Sequence, residues 1–232
     1  MKDVIVITGV STQEHPWFLS YRDQLFNAGI DMHVENISNV AWLGRGGFIS
    51  EKVNLFRYFA KLFSQYKFLV MSDGFDVKFF GTKDQLMTRL VRHEGIVLHA
   101  AEKNCYPDPT LAPKIAEVGP WRFANGGLSM GMPMAYLKWC DEVTNHPRYT
   151  PEILDQHFMN ILLAERSGIQ FIDYLTETFF CLYGGYPELE FHNGKPHNTH
   201  HRTDPLFVHA NGKWDSIEMI MKYTRSLENN NG

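Results

Sequence analysis

Asp73 and Asp76 are the residues of this 232-residue chain whose types and spacing most directly suggest chemistry. They flank Gly74 and Phe75 and follow an apolar run at residues 68–72, a pattern typical of a buried strand. Two carboxylates three residues apart in a tight turn can hold a hard divalent cation, which commonly bridges to a substrate diphosphate. A simple turn is the alternative, since Asp and Gly are turn formers. With the preceding strand taken into account, a metal site and a simple turn are equally good interpretations.

A glycine-rich segment at residues 41–49 precedes Ser50, a plausible N-cap for a helix that we predict to run to about Tyr66. Lys52 would lie in the first turn of this helix, where backbone N–H groups and a positive charge suit a phosphate. The segment matches neither the Walker nor the Rossmann glycine spacing. On this segment alone, a flexible loop followed by a surface lysine is favoured.

The segment from His209 to Lys213 follows a short predicted strand that ends at Val208. His209 could complete a metal site, while Asn211, Gly212 and Lys213 could bind phosphate. A plain Asn-Gly turn is an equally good interpretation of these residues.

Asp155 lies near the start of a further predicted helix, which we expect Thr150 to cap with Pro151 at its first position. Phe158 and Met159 follow at helical spacing, so the face that carries Asp155 is partly apolar. A carboxylate on such a face either does chemistry or stabilises the N-terminus of the helix.

The remaining histidines and cysteines offer weaker candidates. One segment is rich in turn formers and is predicted to be a loop, and its spacing does not match a structural zinc site; its histidines are His192, His197, His200 and His201. Cys105, Cys140 and Cys181 are far apart and odd in number, which argues against a disulfide scaffold and favours a reducing cytosol.

The elements that must position these residues alternate between strand and helix. Strands are predicted at 4–7, 30–34, 68–72 and 96–101, and helices at 15–28, 50–66 and 82–93, with Gly29 ending the first helix. This alternation predicts an α/β fold with a mostly parallel, Rossmann-like central sheet flanked by helices, in a single domain spanning residues 1–232. In open α/β sheets, ligands bind outside the carboxyl ends of the strands, where the candidate residues fall.

The composition excludes several classes of protein. With 44% apolar and 21% charged residues, the chain is neither collagenous nor disordered, and its net charge of −4 argues against a broad basic surface that coats nucleic acid. No apolar run reaches the length of a membrane helix, and the short apolar N-terminus is typical of a strand rather than a signal peptide.

Five short segments, in this order, resemble the glycosyltransferase domain of the lysyl hydroxylase and procollagen glycosyltransferase family, and the likeness spans nearly the whole chain from Val4 to Lys213. They are Val70-Met-Ser-Asp-Gly-Phe-Asp-Val77, Ala101-Glu-Lys-Asn-Cys-Tyr-Pro-Asp108, Arg122-Phe-Ala-Asn-Gly-Gly127, Asp155-Gln-His-Phe158 and His209-Ala-Asn-Gly-Lys213. Each is short, so their joint order and spacing carry the resemblance. It implies a GT-A fold and the transfer of a hexose or pentose from a UDP-sugar with Mn²⁺, or Mg²⁺ in its place.

The resemblance also implies roles for individual residues. Asp73, Asp76 and His209 would bind the metal. Contacts with the nucleotide and its diphosphate would come from Ser11, Lys52, Phe75, Asn211, Gly212 and Lys213. The residues facing the sugar and the acceptor would be Glu102, Asn125 and Asp155, with Asp155 as the base if configuration is inverted.

Three departures from the family pattern leave the acceptor and the sugar open. Leu154 stands where the family usually has a second acidic residue, Tyr106 replaces a tryptophan, and the first glycine-rich loop is shorter. The hydroxylase domain and a secretory signal are also absent from this sequence, so we expect a stand-alone cytoplasmic enzyme of a microbe or virus. Its acceptor would be a hydroxyl of a protein side chain, a glycan or a hydroxymethylated DNA base. A nucleotide-sugar phosphohydrolase and an inactive nucleotide-sugar-binding module are the alternatives.

Overall fold

Strands and helices alternate from the start of the chain, as predicted. The computed structural model describes residues 2–37, 44–150, 153–211 and 220, and within 44–51 it describes the backbone alone. The strands are β1 (Lys2–Val10), β2 (Asp31–Asn36), β3 (Tyr66–Asp73), β4 (Val77–Phe79), β5 (Val97–Glu102), β6 (Phe123–Gly131), β7 (Gln170–Ile172), β8 (Phe179–Cys181), β9 (Leu189–His192), β10 (Lys195–Asn198) and β11 (Phe207–His209). The helices are α1 (Pro16–Asn27), α2 (Gly44–Leu62), α3 (Lys83–Val91), α4 (Pro133–Asn145) and α5 (Asp155–Ala164), with short 3₁₀ helices at Pro109–Lys114 and Tyr186–Glu188.

Six strands form the central sheet in the order β2-β1-β3-β6-β5-β7. All are parallel except β6, which runs antiparallel to both of its neighbours. Alternate residues of β1 point to opposite faces, and both faces are buried: Val4 and Val6 pack against α1 and α3, and Ile5 and Ile7 pack against α2, α4 and α5. The predicted α/β fold with a mostly parallel sheet between helices is therefore confirmed.

A smaller three-stranded sheet brings the C-terminal part of the chain to the end of β3. In this sheet β11 lies between β4, to which it is antiparallel, and β8, to which it is parallel. The register pairs His209 with Val77 on one side and with Cys181 on the other. His209 is thereby placed next to Asp76, whose carbonyl oxygen accepts a hydrogen bond of 2.7 Å from the Ala210 N–H.

Several predicted element boundaries were wrong. Helix α2 begins at Gly44 rather than after Ser50 and so includes three glycines. Each glycine costs about 1 kcal/mol relative to alanine but does not forbid the helical conformation. The helix ends at Leu62, since Tyr66 already pairs with Lys2 in the central sheet.

Two further expectations about boundaries also fail. Helix α5 begins at Asp155 with Leu154 as its N-cap, not at the predicted cap Thr150; Pro151 lies outside the described residues. The predicted loop around His192 and His197 contains the hairpin of β9 and β10, in which each of these rings hydrogen-bonds a carboxylate. All three cysteines lie in the described part of the chain and are free thiols. Among the described helices, none is both long and apolar enough to cross a bilayer.

Asp173 anchors the turn that leads into β8. Its buried carboxylate accepts hydrogen bonds from the backbone N–H groups of Glu177, Thr178 and Phe179 at 3.0, 2.6 and 2.8 Å. Burial raises the pKa of this carboxyl group to about 6, although the backbone donors oppose the shift. The folded protein thus binds this proton more tightly than the unfolded chain does.

Asp173→Asn removes this titratable group, and its effect on the pH dependence of stability has a definite sign. Because the pKa is raised on folding, the contribution of Asp173 to stability is greatest at low pH and falls as the pH rises through about 6. We expect the free energy of unfolding of the wild type, relative to Asp173→Asn, to be about 2 kcal/mol larger at acidic pH, near 4.5, than at neutral pH. Urea denaturation at both pH values measures this difference. A difference that grew with pH would mean that the three backbone donors outweigh burial.

Candidate metal centre and adjoining clefts

A crevice opens at the carboxyl ends of β1, β2 and β3. After β1 the chain forms β2 on one side of β1 and then forms β3 on its other side. Such a topological switch point is the usual ligand site of an open α/β sheet. The crevice is lined by Gly9, Glu35 and Asp73 from the strand ends and by Lys52 from α2.

The turn after β3 packs tightly against β1, which explains the glycine between the two aspartates. A Cβ atom at Gly74 would lie 2.9 Å from Thr8 Oγ1, 3.0 Å from the Gly9 carbonyl oxygen and closer still to the Val10 side chain. The absence of a side chain at this position therefore lets the turn that carries Asp73 and Asp76 pack against the end of β1.

Asp73, Asp76 and His209 form a triad whose ligand atoms all lie within 4.8 Å of one another. His209 Nε2 is 3.2 Å from Asp76 Oδ2 and 3.6 Å from Asp73 Oδ2. The His209 side chain is 3% exposed, whereas those of Asp73 and Asp76 are 40% and 28% exposed, so the triad opens to one side. The structure thus brings together the three residues predicted as metal ligands.

The surroundings of the triad fit a divalent cation. Two carboxylates and one imidazole are a donor set that suits Mn²⁺ and related metals. A Cβ atom at Gly127 would lie 2.7 Å from both Asp73 Oδ2 and His209 Nδ1, so the glycine keeps this space free. Burial opposes protonation of His209, yet the neighbouring Asp76 raises its pKa well above the ordinary value, and His209 in turn lowers the pKa of Asp76 despite burial. A cation bound at the triad would take over the role of the protonated imidazole, which here balances the negative charge of Asp76.

Lys52 lies between the triad and α5. Its Nζ is 3.2 Å from Asp73 Oδ1 and 3.6 Å from Asp155 Oδ2, and it donates a 2.7 Å hydrogen bond to the Gly126 carbonyl oxygen. Burial alone would lower the pKa of Lys52, but the two carboxylates outweigh it and hold the pKa above its ordinary value. Lys52 therefore stays charged and links the acidic turn to the start of α5.

Lys52→Met should destabilise the fold as well as the site, because it leaves the buried Asp155 carboxylate without a counter-charge. Removing one partner of a buried ion pair typically costs about 3 kcal/mol, and the partial exposure of Lys52 reduces this figure to about 2 kcal/mol. Chemical denaturation at neutral pH measures the loss. Lys61→Met, an exposed lysine on the same helix, is the matched control and should change stability little. Equal effects of the two variants would contradict the proposed ion pairing.

Glu102, at the end of β5, is held by three side-chain amides. Its Oε2 accepts hydrogen bonds from Asn125 Nδ2 at 3.0 Å and Asn211 Nδ2 at 2.7 Å, and its Oε1 accepts one from Gln156 Nε2 at 2.7 Å. Burial raises the pKa of Glu102, and these donors oppose the shift. The amide oxygens are fixed in turn by backbone N–H groups, of Gly126 for Gln156 and of Tyr183 for Asn211. Glu102 is thus fixed in one orientation.

A second cleft, of about 520 Å³, lies on the other side of this network. Its floor includes Glu102, Asn125, Gln156 and Asn211, and its rim includes Tyr106, Tyr183, Pro107 and Pro109. A carboxylate and amides below, with aromatic rings above, can bind a polar ligand that has an apolar face. Asn125, in the floor of this cleft, also hydrogen-bonds His209, and the two residues after it, Gly126 and Gly127, line the first crevice.

Asn125 reaches this wall because the pairing between β5 and β6 is interrupted. The pairing passes from His99–Ser129 directly to Ala100–Asn125, so residues 126–128 have no partner on β5. This bulge turns Gly126 and Gly127 toward Asp155 and the triad, respectively.

The other predicted residues are placed less centrally, or lie outside the described part of the chain. Ser11 is exposed just after β1, and Phe75 is half-buried with its ring edge-on to His15 at a centroid distance of 5.2 Å. Asp155 is buried with Lys52 beside it, as described above. Gly212 and Lys213 lie outside the described residues.

Sequence reasoning did not assign Gln156 or Gly127 to the site. Gln156 follows the assigned residue Asp155 directly. Gly127 lies two positions after the assigned residue Asn125, at the end of the segment Arg122–Gly127 that carries part of the family resemblance. No residue pattern reveals the bulge that brings Gly127 against His209.

The mostly parallel sheet between layers of helices is of the GT-A type. Solved structures support this class: a glycosyltransferase involved in the glycosylation of the major capsid of PBCV-1 has a TM-score of 0.58 at 12% identity, covering 94% of this chain and 99% of that one. The galactosyltransferase LgtC in complex with donor and acceptor sugar analogues has a TM-score of 0.53 at 15% identity, with 96% of each chain covered.

The family model described as the PLOD GT domain matches residues 1–231, and the chain belongs to this family of glycosyltransferase domains. A Caenorhabditis elegans multifunctional procollagen lysine hydroxylase and glycosyltransferase is 30% identical over 159 residues, which are 62% of this chain and 21% of that protein. A Drosophila melanogaster procollagen-lysine,2-oxoglutarate 5-dioxygenase is 28% identical over 186 residues, 72% of this chain and 24% of that protein. The chain thus spans about a fifth to a quarter of the length of these relatives.

Proposed function

We propose that this protein is a metal-dependent glycosyltransferase that moves a sugar from a UDP-sugar to a hydroxyl acceptor. The observation that carries the proposal is the Asp73–Asp76–His209 triad, in which Asp73 lines the switch-point crevice and His209 hydrogen-bonds Asn125 of the second cleft. A nucleotide in the crevice would place its diphosphate at the triad and its sugar toward Glu102 and Asp155. The membership of the family of glycosyltransferase domains supports the reaction class.

Asp73, Asp76 and His209 would hold Mn²⁺ or Mg²⁺. A divalent cation there would stabilise the negative charge that builds on the departing diphosphate. Lys52 adds a fixed positive charge next to Asp73 and keeps its own proton. We expect Ser11 and Phe75 to lie by the uridine, and Asn211, Gly212 and Lys213 to lie by the phosphates.

Asp155 is our candidate for contact with the reacting hydroxyl. Among the described residues, its Oδ2 atom accepts no hydrogen bond and has Lys52 as its charged neighbour, whereas both oxygens of Glu102 are already occupied by amide donors. If the sugar is inverted, Asp155 would accept the hydroxyl proton; if configuration is retained, it would orient the donor. Glu102 and Asn125 would then shape the site rather than move the proton.

The second cleft favours an acceptor larger than water, which supports transfer over hydrolysis of the donor. Its size and lining suit a hydroxylated side chain or a glycan, while a hydroxymethylated DNA base would have to be extruded from the duplex. The cytoplasmic location stays a prediction.

Thermal melting with Mn²⁺ and a panel of nucleotides and nucleotide sugars tests the donor site. A ligand present at about a hundredfold excess over its Kd stabilises the folded state by roughly 2.7 kcal/mol, which shifts the melting temperature measurably. We expect a shift that requires both Mn²⁺ and a uridine ligand and that Asp76→Asn abolishes. Asp23→Asn, an exposed aspartate paired with its neighbour Arg22, is the control.

A shift with another nucleotide in place of uridine would overturn the proposed donor. If the donor is confirmed, release of UDP with and without candidate acceptors separates transfer from hydrolysis. A rate that no acceptor of the three classes increases would favour the phosphohydrolase, and binding without turnover would favour an inactive module.

A further inference from the structure

Within the described residues, Asn125 makes the one close side-chain hydrogen bond to Nδ1 of His209, the ring nitrogen that points away from Asp73 and Asp76. Its Oδ1 lies 3.0 Å from His209 Nδ1, while His209 Nε2 faces Asp76 and Asp73. The other side chain near Nδ1 is Cys181, whose Sγ is 4.0 Å away. Asn125 is therefore the closest side-chain partner of the ring nitrogen that points away from Asp73 and Asp76.

The orientation of the Asn125 amide is determined by two further partners. Its Oδ1 also accepts a 2.9 Å hydrogen bond from the Gly127 N–H, so this atom must be the oxygen. The other atom is therefore the amide nitrogen Nδ2, which donates to Glu102 Oε2. Since Oδ1 is an acceptor, the hydrogen bond with His209 requires a proton on Nδ1.

A proton fixed on Nδ1 leaves Nε2 as the nitrogen available to a cation. Metal-binding histidines usually donate their other N–H to such a partner, and removing the partner typically weakens metal binding about 10- to 100-fold. We infer that Asn125 is a positioning residue that orients His209 for metal binding, rather than a residue that faces the transferred sugar. This inference rests on the metal dependence proposed above.

Mn²⁺ affinity, followed by the loss of the electron paramagnetic resonance signal of free Mn²⁺, tests the inference without any turnover. Asn125→Leu keeps the approximate volume and removes the acceptor, so we expect Mn²⁺ binding to weaken about 10- to 100-fold. Asn125→Asp keeps an oxygen for the His209 N–H, so its affinity should stay close to that of the wild type. Cys181→Ala, which removes the other neighbour of Nδ1, should also leave the affinity nearly unchanged.

Thermal melting of the same variants separates positioning from a merely structural role. Asn125→Asp puts a second carboxylate beside Glu102 and should lower the melting temperature while preserving Mn²⁺ affinity. If affinity instead fell in step with melting temperature across the variants, or if Asn125→Leu bound Mn²⁺ like the wild type, the inference would be wrong. If Asn125→Leu does not fold, weakened Mn²⁺ binding by Asn125→Asp alone would overturn it. A wild type that binds no Mn²⁺ would instead remove the proposed metal dependence itself.

Discussion

Asp73→Asn should lower the rate of sugar transfer about a thousandfold, which corresponds to about 4 kcal/mol of lost transition-state stabilisation. The substitution keeps the shape of the side chain and removes the negative charge that a cation requires. Because the Asp73 side chain is 40% exposed, the folded state should lose little stability. Transfer assays over a range of Mn²⁺ concentrations, together with Mn²⁺ titration, measure both effects.

Asp23→Asn is the matched control for this experiment. It makes the same chemical change at an exposed site whose charged partner is the adjacent Arg22, and it should leave transfer unchanged. Wild-type Mn²⁺ affinity and rate in Asp73→Asn would show that the turn after β3 is not a metal site. Partial rescue at high Mn²⁺ concentration would separate weakened metal binding from a loss of the fold.

Gly127→Ala should strongly lower the rate of sugar transfer, although it replaces none of the three candidate metal ligands. The added methyl group would meet Asp73 Oδ2 and the ring of His209, which is buried against Asn125 and cannot retreat. Overpacking of this kind costs about 1–3 kcal/mol, and displacing a ligand by about 1 Å can lower a rate about a hundredfold. Transfer assays and Mn²⁺ titration of the purified variant, with its melting temperature, test this expectation.

Gly168→Ala provides the comparison for a glycine outside the site. A Cβ atom there would meet no other atom within 4 Å, so the substitution should be neutral or slightly stabilising. Near-normal activity in Gly127→Ala would mean that the ring of His209 has room to move and that the triad is looser than its geometry implies.

The sequence predicted the layout of the site because strand ends, turns and carboxylates leave local signals. Asp73 and Asp76 follow an apolar strand of the central sheet, and His209 ends a second apolar strand, β11, which belongs to the small sheet. That they meet depends on the pairing of β11 with β4, which joins residues more than a hundred positions apart and has no local signature. The family resemblance supplied this juxtaposition.

The parts that could not be predicted depend on register and on tertiary contacts. The role of Asn125 follows from a bulge in β6, since with regular pairing Ala100 would lie opposite Leu128 rather than Asn125. The late start of α5 was missed because Thr150 and Pro151 carry a strong capping signal, whereas Asp155 begins the helix beside Lys52. Neither the register of β6 nor the first residue of α5 follows from local sequence preference alone.

The small sheet of β4, β8 and β11 makes the candidate metal centre depend on a residue that is synthesised late, His209 of β11. A chain that stops anywhere between α5 and β10 would contain the complete switch-point crevice and the acidic turn, yet it would lack the imidazole. Leu206 and Phe207, just before this histidine, are buried in the core with Val4 and Val6 of β1. Such a truncated chain would therefore lose part of its core together with the third candidate ligand.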